Sequence, residues 1–226
     1  MKQNKKSTTI LGVFTILMMV TSIYAVFRIA PTERIMGDVQ RIFYFHATIA
    51  IESLLAAFLV FIASAMYLWQ KDPMWDRLAA SAAEIVILFS SLVLITGMLW
   101  ARPIWNAWWT WDPRLVSTLI LWFIYVAYFM VRASVPDAGK RARFSAIIGI
   151  VGFVDVPIIR ISAKWRSMHP LLSEEGGGLN PLMRNIWLFV IVSFTFLLIW
   201  FLWYRVNLAK LEDEVQRLNA KIEEKE

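Results

Sequence analysis

The chain contains no cysteine among its 226 residues. That excludes disulfides, thiolate metal sites, thiol catalysis and a C-x-x-C-H attachment motif. Histidine is nearly as scarce, with only His46 and His169. Two histidines far apart lack the third ligand of a zinc site, and no Ser-His-Asp or paired-carboxylate spacing accompanies them. Charge is sparse as well: 18% of residues are charged against 59% hydrophobic. The net charge of +6 is modest. In a membrane chain such a surplus reflects loop lysines and arginines that set topology, so it is not read as nucleic-acid binding. There is no internal repeat and no low-complexity stretch. Gly176-Gly177-Gly178 marks a loop, without the flanking strand and helix of a phosphate-binding turn.

What the chain has in quantity is apolar length. Six runs stand out, near Ile10–Ile29, Ile42–Trp69, Ile85–Trp100, Leu115–Val131, Phe144–Ile161 and Ile186–Tyr204. Spanning backbone must satisfy its own hydrogen bonds, so each run reads as a helix. The expected fold is all-α: a polytopic membrane helical bundle with six transmembrane helices and a C-terminal amphipathic cytoplasmic helix. Lys2, Lys5 and Lys6 precede the first run in the manner of a signal peptide. Its apolar stretch is long and no A-x-A site follows, so a retained helix is expected. Residues 1–205 then form the membrane domain, with the tail at 206–226. In that tail Leu208, Leu211, Val215, Leu218 and Ile222 alternate spacings of three and four, a two-heptad pattern. It fits either an extension of the last helix or a docking helix for a partner.

Positive charge sets orientation. Fourteen lysines and arginines fall on the side of the termini and nine on the other, which favours cytoplasmic termini. His46, His169 and the loop between the third and fourth runs then share the outer side. That loop holds the densest aromatic cluster: five of the twelve tryptophans lie between Trp100 and Trp111. Indole suits a place that is apolar on one side and wet on the other. An aromatic belt at the membrane interface is the plain reading, and a shelf for a large planar ligand is the functional one.

A porphyrin needs axial ligands, flat apolar walls and cations for its propionates. His46 and His169 could supply the first, and Trp105, Trp108, Trp109 and Trp111 the second. Arg102, Arg114, Arg160, Lys164 and Arg166 could supply the third, arginine matching a carboxylate with its fork. Each has a plainer role, as an interfacial hydrogen bonder, a belt residue or a headgroup contact. Asp112 before Pro113 reads as the N-cap of the fourth helix, compatible with ordering the loop. The intramembrane acids Glu52 and Asp155 are expected to face a partner, such as Arg41, Arg160 or backbone freed by Pro157.

The segment Trp100-Ala101-Arg102-Pro103-Ile104-Trp105-Asn106-Ala107-Trp108-Trp109-Thr110-Trp111-Asp112-Pro113-Arg114-Leu115 resembles the tryptophan-rich WWD segment of the haem-handling proteins of cytochrome c maturation. Asn106 stands where that family usually has glycine. Ile42-Phe43-Tyr44-Phe45-His46 resembles the family's first histidine segment. Asp155-Val156-Pro157-Ile158 through Trp165-Arg166-Ser167-Met168-His169-Pro170 resembles the second, with Trp165 alone where two tryptophans are frequent. Short length and six runs are similar to the haem exporter C (CcmC) branch.

The resemblance implies non-covalent haem b held at the outer face of a bacterial inner membrane by axial His46 and His169. Trp105, Trp108, Trp109, Trp111 and Asp112 would form its platform. It also implies transfer to the haem chaperone CcmE beside an ABC transporter of CcmA and CcmB and the small protein CcmD. It implies transport rather than an enzyme. The readings set against it are a membrane electron-transfer subunit binding haem b and a structural permease scaffold.

Overall fold

The computed structural model describes residues 2–162 and 179–223. Six long helices follow one another: α1 (Lys2–Tyr24), α2 (Arg41–Gln70), α3 (Pro73–Trp105), α4 (Pro113–Ser134), α5 (Ala138–Ser162) and α6 (Pro181–Glu223). All six are long and apolar enough to cross a membrane. No strand occurs among the described residues, only an isolated bridge between Glu33 and Gly37. The all-α membrane bundle expected from the apolar runs is thus what the chain forms.

The helix boundaries follow local chemistry. Asp72 accepts the Met74 N–H at 2.8 Å and Pro73 opens α3. Asp112 accepts the Arg114 N–H at 2.9 Å and Pro113 opens α4. In both, an acceptor satisfies an orphan N–H and proline occupies a position with no hydrogen bond to lose. α1 ends in a π-helical turn over Ala25–Ile29. Arg41 reaches back from the start of α2 and donates to the carbonyls of Val26 and Ala30 there.

One boundary differs from the hydropathy reading, and the tail follows one of its two readings. α3 begins well before Ile85, because Asp76, Arg77 and Glu84 interrupt the apolar run without interrupting the helix. Each has a partner on another helix: Asp76 with Arg132 at 2.6 Å, Glu84 with Arg205 at 2.5 Å, Arg77 with Asp213 at 2.9 Å. α6 runs unbroken past Tyr204, so the heptad stripe continues the last helix.

α2 is the central helix, packed on α3, α5 and α6; α4 lies along α5, and α1 along α6. Small residues permit the closest approach. A Cβ on Gly149 of α5 would sit 2.6 Å from Ser64 Oγ of α2. Ser22 of α1 donates to Ser193 of α6 at 2.8 Å within the bundle. Such small and hydroxylic contacts are how helices associate where lipid offers no hydrophobic contrast. α1 turns Leu17 and Val20 outward, as a lipid-facing helix should.

The buried acids correct one expectation. Neither Glu52 nor Asp155 pairs with Arg41 or Arg160 among the described residues. Glu52 accepts the Thr195 hydroxyl of α6 at 2.7 Å. Arg41 is held instead by Asp38 at 3.0 Å and by the end of α1's turn. Asp155 is buried, and its Oδ2 has no hydrogen-bond partner among the described residues.

Candidate functional site

The helices alternate direction, so the starts of α2, α4 and α6 meet the ends of α3 and α5 at one end of the bundle. Phe43 of α2 lies 5.1 Å from Trp187 of α6 and 6.2 Å from Trp100 of α3, centroid to centroid. Ser117 of α4 meets Ser162 of α5 at 3.4 Å. The tryptophan loop, residues 106–112, joins α3 to α4 at this end.

His46 sits just over one turn into α2 and is only 7% exposed. Its slot is made by one face of α3. Thr96 and Trp100, four apart, project together; Thr96 Oγ1 lies 2.9 Å from His46 Nδ1. The Trp100 ring meets the imidazole edge-on at 5.7 Å. Gly97 between them leaves the space the ring fills, since a Cβ there would stand 3.3 Å from His46 Cε1. The sequence placed His46 at a helix end; the structure shows it tucked between helices there. Thr96 and Gly97 carried no expectation. The signal that could have found them is their helical spacing from Trp100 on a helix antiparallel to α2.

The loop itself starts at Asn106, which is in the left-handed region at φ 53°. Glycine is the default residue there because it has no Cβ, and asparagine is among the few that tolerate it. This accounts for Asn106 at a position where glycine is usual. Arg102 donates to the Asn106 carbonyl at 3.0 Å and to its Oδ1. The Arg102 guanidinium also lies over the Trp108 ring at 6.0 Å. Trp109 and Trp111 meet edge-on at 6.0 Å. Trp108 and Trp111 are 56% and 78% exposed, while Trp105 and Trp109 are half-buried. Asp112 is buried as the α4 cap.

Of the residues expected to form a site, His46, Arg102, Trp105, Trp108, Trp109, Trp111, Asp112 and Arg114 therefore share one end of the bundle. The exposed end of α5 brings Arg160 to the same end. His169, Lys164, Trp165 and Arg166 lie outside the described residues. Glu33 shapes the nearby turn after α1. Its carboxylate accepts the N–H groups of Met36 at 2.5 Å and Ile35 at 2.8 Å. The Met36 bond foremost holds it below the usual carboxylate range.

This end holds a buried imidazole and, on its loop, two exposed indoles. No group of three or more His, Asp or Glu side chains among the described residues could cage a bare ion.

Comparison with known proteins shows what the chain is similar to. A family model described as CcmC, heme exporter protein C, matches residues 1–221. The heme exporter protein C of Bradyrhizobium diazoefficiens is 31% identical over 193 residues, 84% of this chain and 72% of that one. That of Haemophilus influenzae is 31% identical over 194 residues, 83% and 78% of the two chains. That of Escherichia coli strain K12 is 32% identical over 161 residues, 70% and 65%. With a match across nearly its whole length, this chain belongs to the heme exporter protein C family.

Proposed function

We propose that this chain binds haem b non-covalently at the tryptophan end of its bundle and hands it on for cytochrome c maturation. The observation that carries the reading is that a buried, buttressed His46 and the exposed Trp108 and Trp111 belong to the same end of the bundle. His46 and His169 act as axial ligands to the haem iron. Trp105, Trp108, Trp109 and Trp111 form the wall for the ring, with Asp112 fixing where the wall meets α4. Arg114 and Arg166 face the propionates. Arg102 contributes at one remove, because it already bonds Asn106 and lies over Trp108. The residues fit a low-spin porphyrin, which needs only axial donors from the protein.

A shelf exposed at the end of the bundle suits a cargo that must leave. The acceptor in this reading is the chaperone CcmE, approaching from the outer face of the bacterial inner membrane. CcmA, CcmB and CcmD complete the assembly. The chain is a carrier, and its membrane termini are cytoplasmic.

Absorption spectra of the detergent-purified protein test this. The native chain is expected to show a low-spin bis-histidine spectrum, weakened in His46→Ala and in His169→Ala. An unchanged spectrum in the double variant would sink the proposal.

A further inference from the structure

We infer that Thr96 is a positioning residue that fixes the tautomer of His46 and thereby presents Nε2 to the iron. The inference rests on His46 being an axial ligand. It goes further by naming which ring nitrogen binds and what holds it there.

A threonine hydroxyl has one proton and accepts through its lone pairs. The Thr96 hydroxyl lies 2.6 Å from the Leu92 carbonyl and 3.3 Å from that of Val93, both on the preceding turn of α3. A carbonyl oxygen can only accept, so the single proton of Thr96 points to Leu92. The short contact to His46 Nδ1, 2.9 Å, then has one consistent form: Nδ1–H donates to Thr96 Oγ1. In neutral imidazole a proton on Nδ1 leaves the lone pair on Nε2.

The surroundings fix the ring as well as the proton. Gly97 abuts Cε1 and Trp100 abuts the ring edge-on, so rotation about the side chain meets α3. Metal-bound histidines generally donate their other N–H to a neighbour that sets orientation and basicity. A hydroxyl oxygen is a weaker acceptor than a carboxylate. It orients the ring while adding little electron density to it, which suits a ligand that must release its iron to an acceptor.

The chain's two histidines make the test clean. His169→Ala protein labelled with ¹⁵N-histidine carries a single labelled ring. In haem-free micelles its nitrogen shifts are expected to report Nδ1–H, the minor tautomer of free histidine. Thr96→Val, which keeps the shape and removes the oxygen, is expected to move the ring to the Nε2–H form. Thr96→Ser is expected to retain Nδ1–H. In the otherwise native chain, Thr96→Val should release haem to apomyoglobin about tenfold faster, with Thr96→Ser close to native.

An Nε2–H ring in the native background would overturn the inference. So would haem release unchanged by Thr96→Val. Should Thr96→Val fail to accumulate, the Thr96→Ser and native ring spectra decide the tautomer alone. A His46→Ala protein that keeps the low-spin spectrum would defeat the ligand reading instead, and the nitrogen spectrum would still report the tautomer separately.

Discussion

At the end of the bundle away from the tryptophan loop, arginines tie helices to one another. Arg132 of α4 grips Asp76 of α3 through two bonds, 2.6 and 3.1 Å. Arg205 of α6 holds Glu84 of α3, and Arg77 of α3 holds Asp213 of α6. At the tryptophan end, Arg41 and Arg102 bond backbone carbonyls where the other end uses carboxylates on a facing helix. Arg41 holds the turn after α1, and Arg102 holds the first residue of its own loop. The difference separates two tasks. Cross-helix pairs fix helix register at one end, where the chain must stay assembled. At the other, Arg102 orders the start of the loop that carries the exposed Trp108 and Trp111.

The first way to break this comparison is to remove the strongest clasp. Arg132→Ala leaves Asp76 beside α4 with its partner gone, both side chains being mostly sheltered. Deleting one member of a buried pair costs about 3–5 kcal/mol. The expected result is a marked fall in thermal stability in detergent. The haem spectrum of the protein that remains folded should be native in shape. A shifted haem spectrum would show that the two ends are coupled. Trp108→Leu is the converse. Its side chain is more than half exposed, so stability should stay within about 0.5 kcal/mol of native. Haem retention should fall by about tenfold, roughly the 1.4 kcal/mol scale of a lost aromatic contact. Trp108→Phe should recover most of it. Retention measured by gel filtration with bound-haem absorbance separates the two outcomes, and native retention in Trp108→Leu would reduce the loop to a membrane belt.

The same two ends explain what the sequence could convey. Apolar runs report burial in lipid, so the six spans were legible from composition. The start of α3 was not, because Asp76, Arg77 and Glu84 lower hydropathy while their partners lie on α4 and α6. Pairing across helices is invisible to a one-dimensional scan. The site divides likewise. Its rare residues, His46 and the clustered tryptophans, announced themselves by scarcity and density. Thr96 and Gly97 are ordinary residues in an apolar helix, and only the antiparallel packing of α3 on α2 makes them the walls of the His46 slot. The partner of Glu52 was missed for the same reason: Thr195 lies on α6, and a hydroxyl carries no charge to suggest it.

At the tryptophan end the first residue of the loop is itself a point of support. Asn106 does two things at once. Its backbone adopts the left-handed conformation that ends α3, and its carbonyl and Oδ1 accept from Arg102. Substitution separates these. Asn106→Gly relieves the backbone and keeps the carbonyl acceptor, losing only Oδ1. Asn106→Ala loses Oδ1 and also places a Cβ where φ is positive, at a cost of about 1 kcal/mol or somewhat more. Stability should therefore rank native and glycine together, with alanine below them. Hydrogen exchange of the loop amides should show the same order, since the loop opens locally before the bundle does. If alanine and glycine were equally destabilised, the Oδ1 bond to Arg102 would be what holds the loop. If alanine matched native, neither the backbone conformation nor that bond would matter, and the loop's geometry would have to come from packing of Trp105 and Trp109 beneath it.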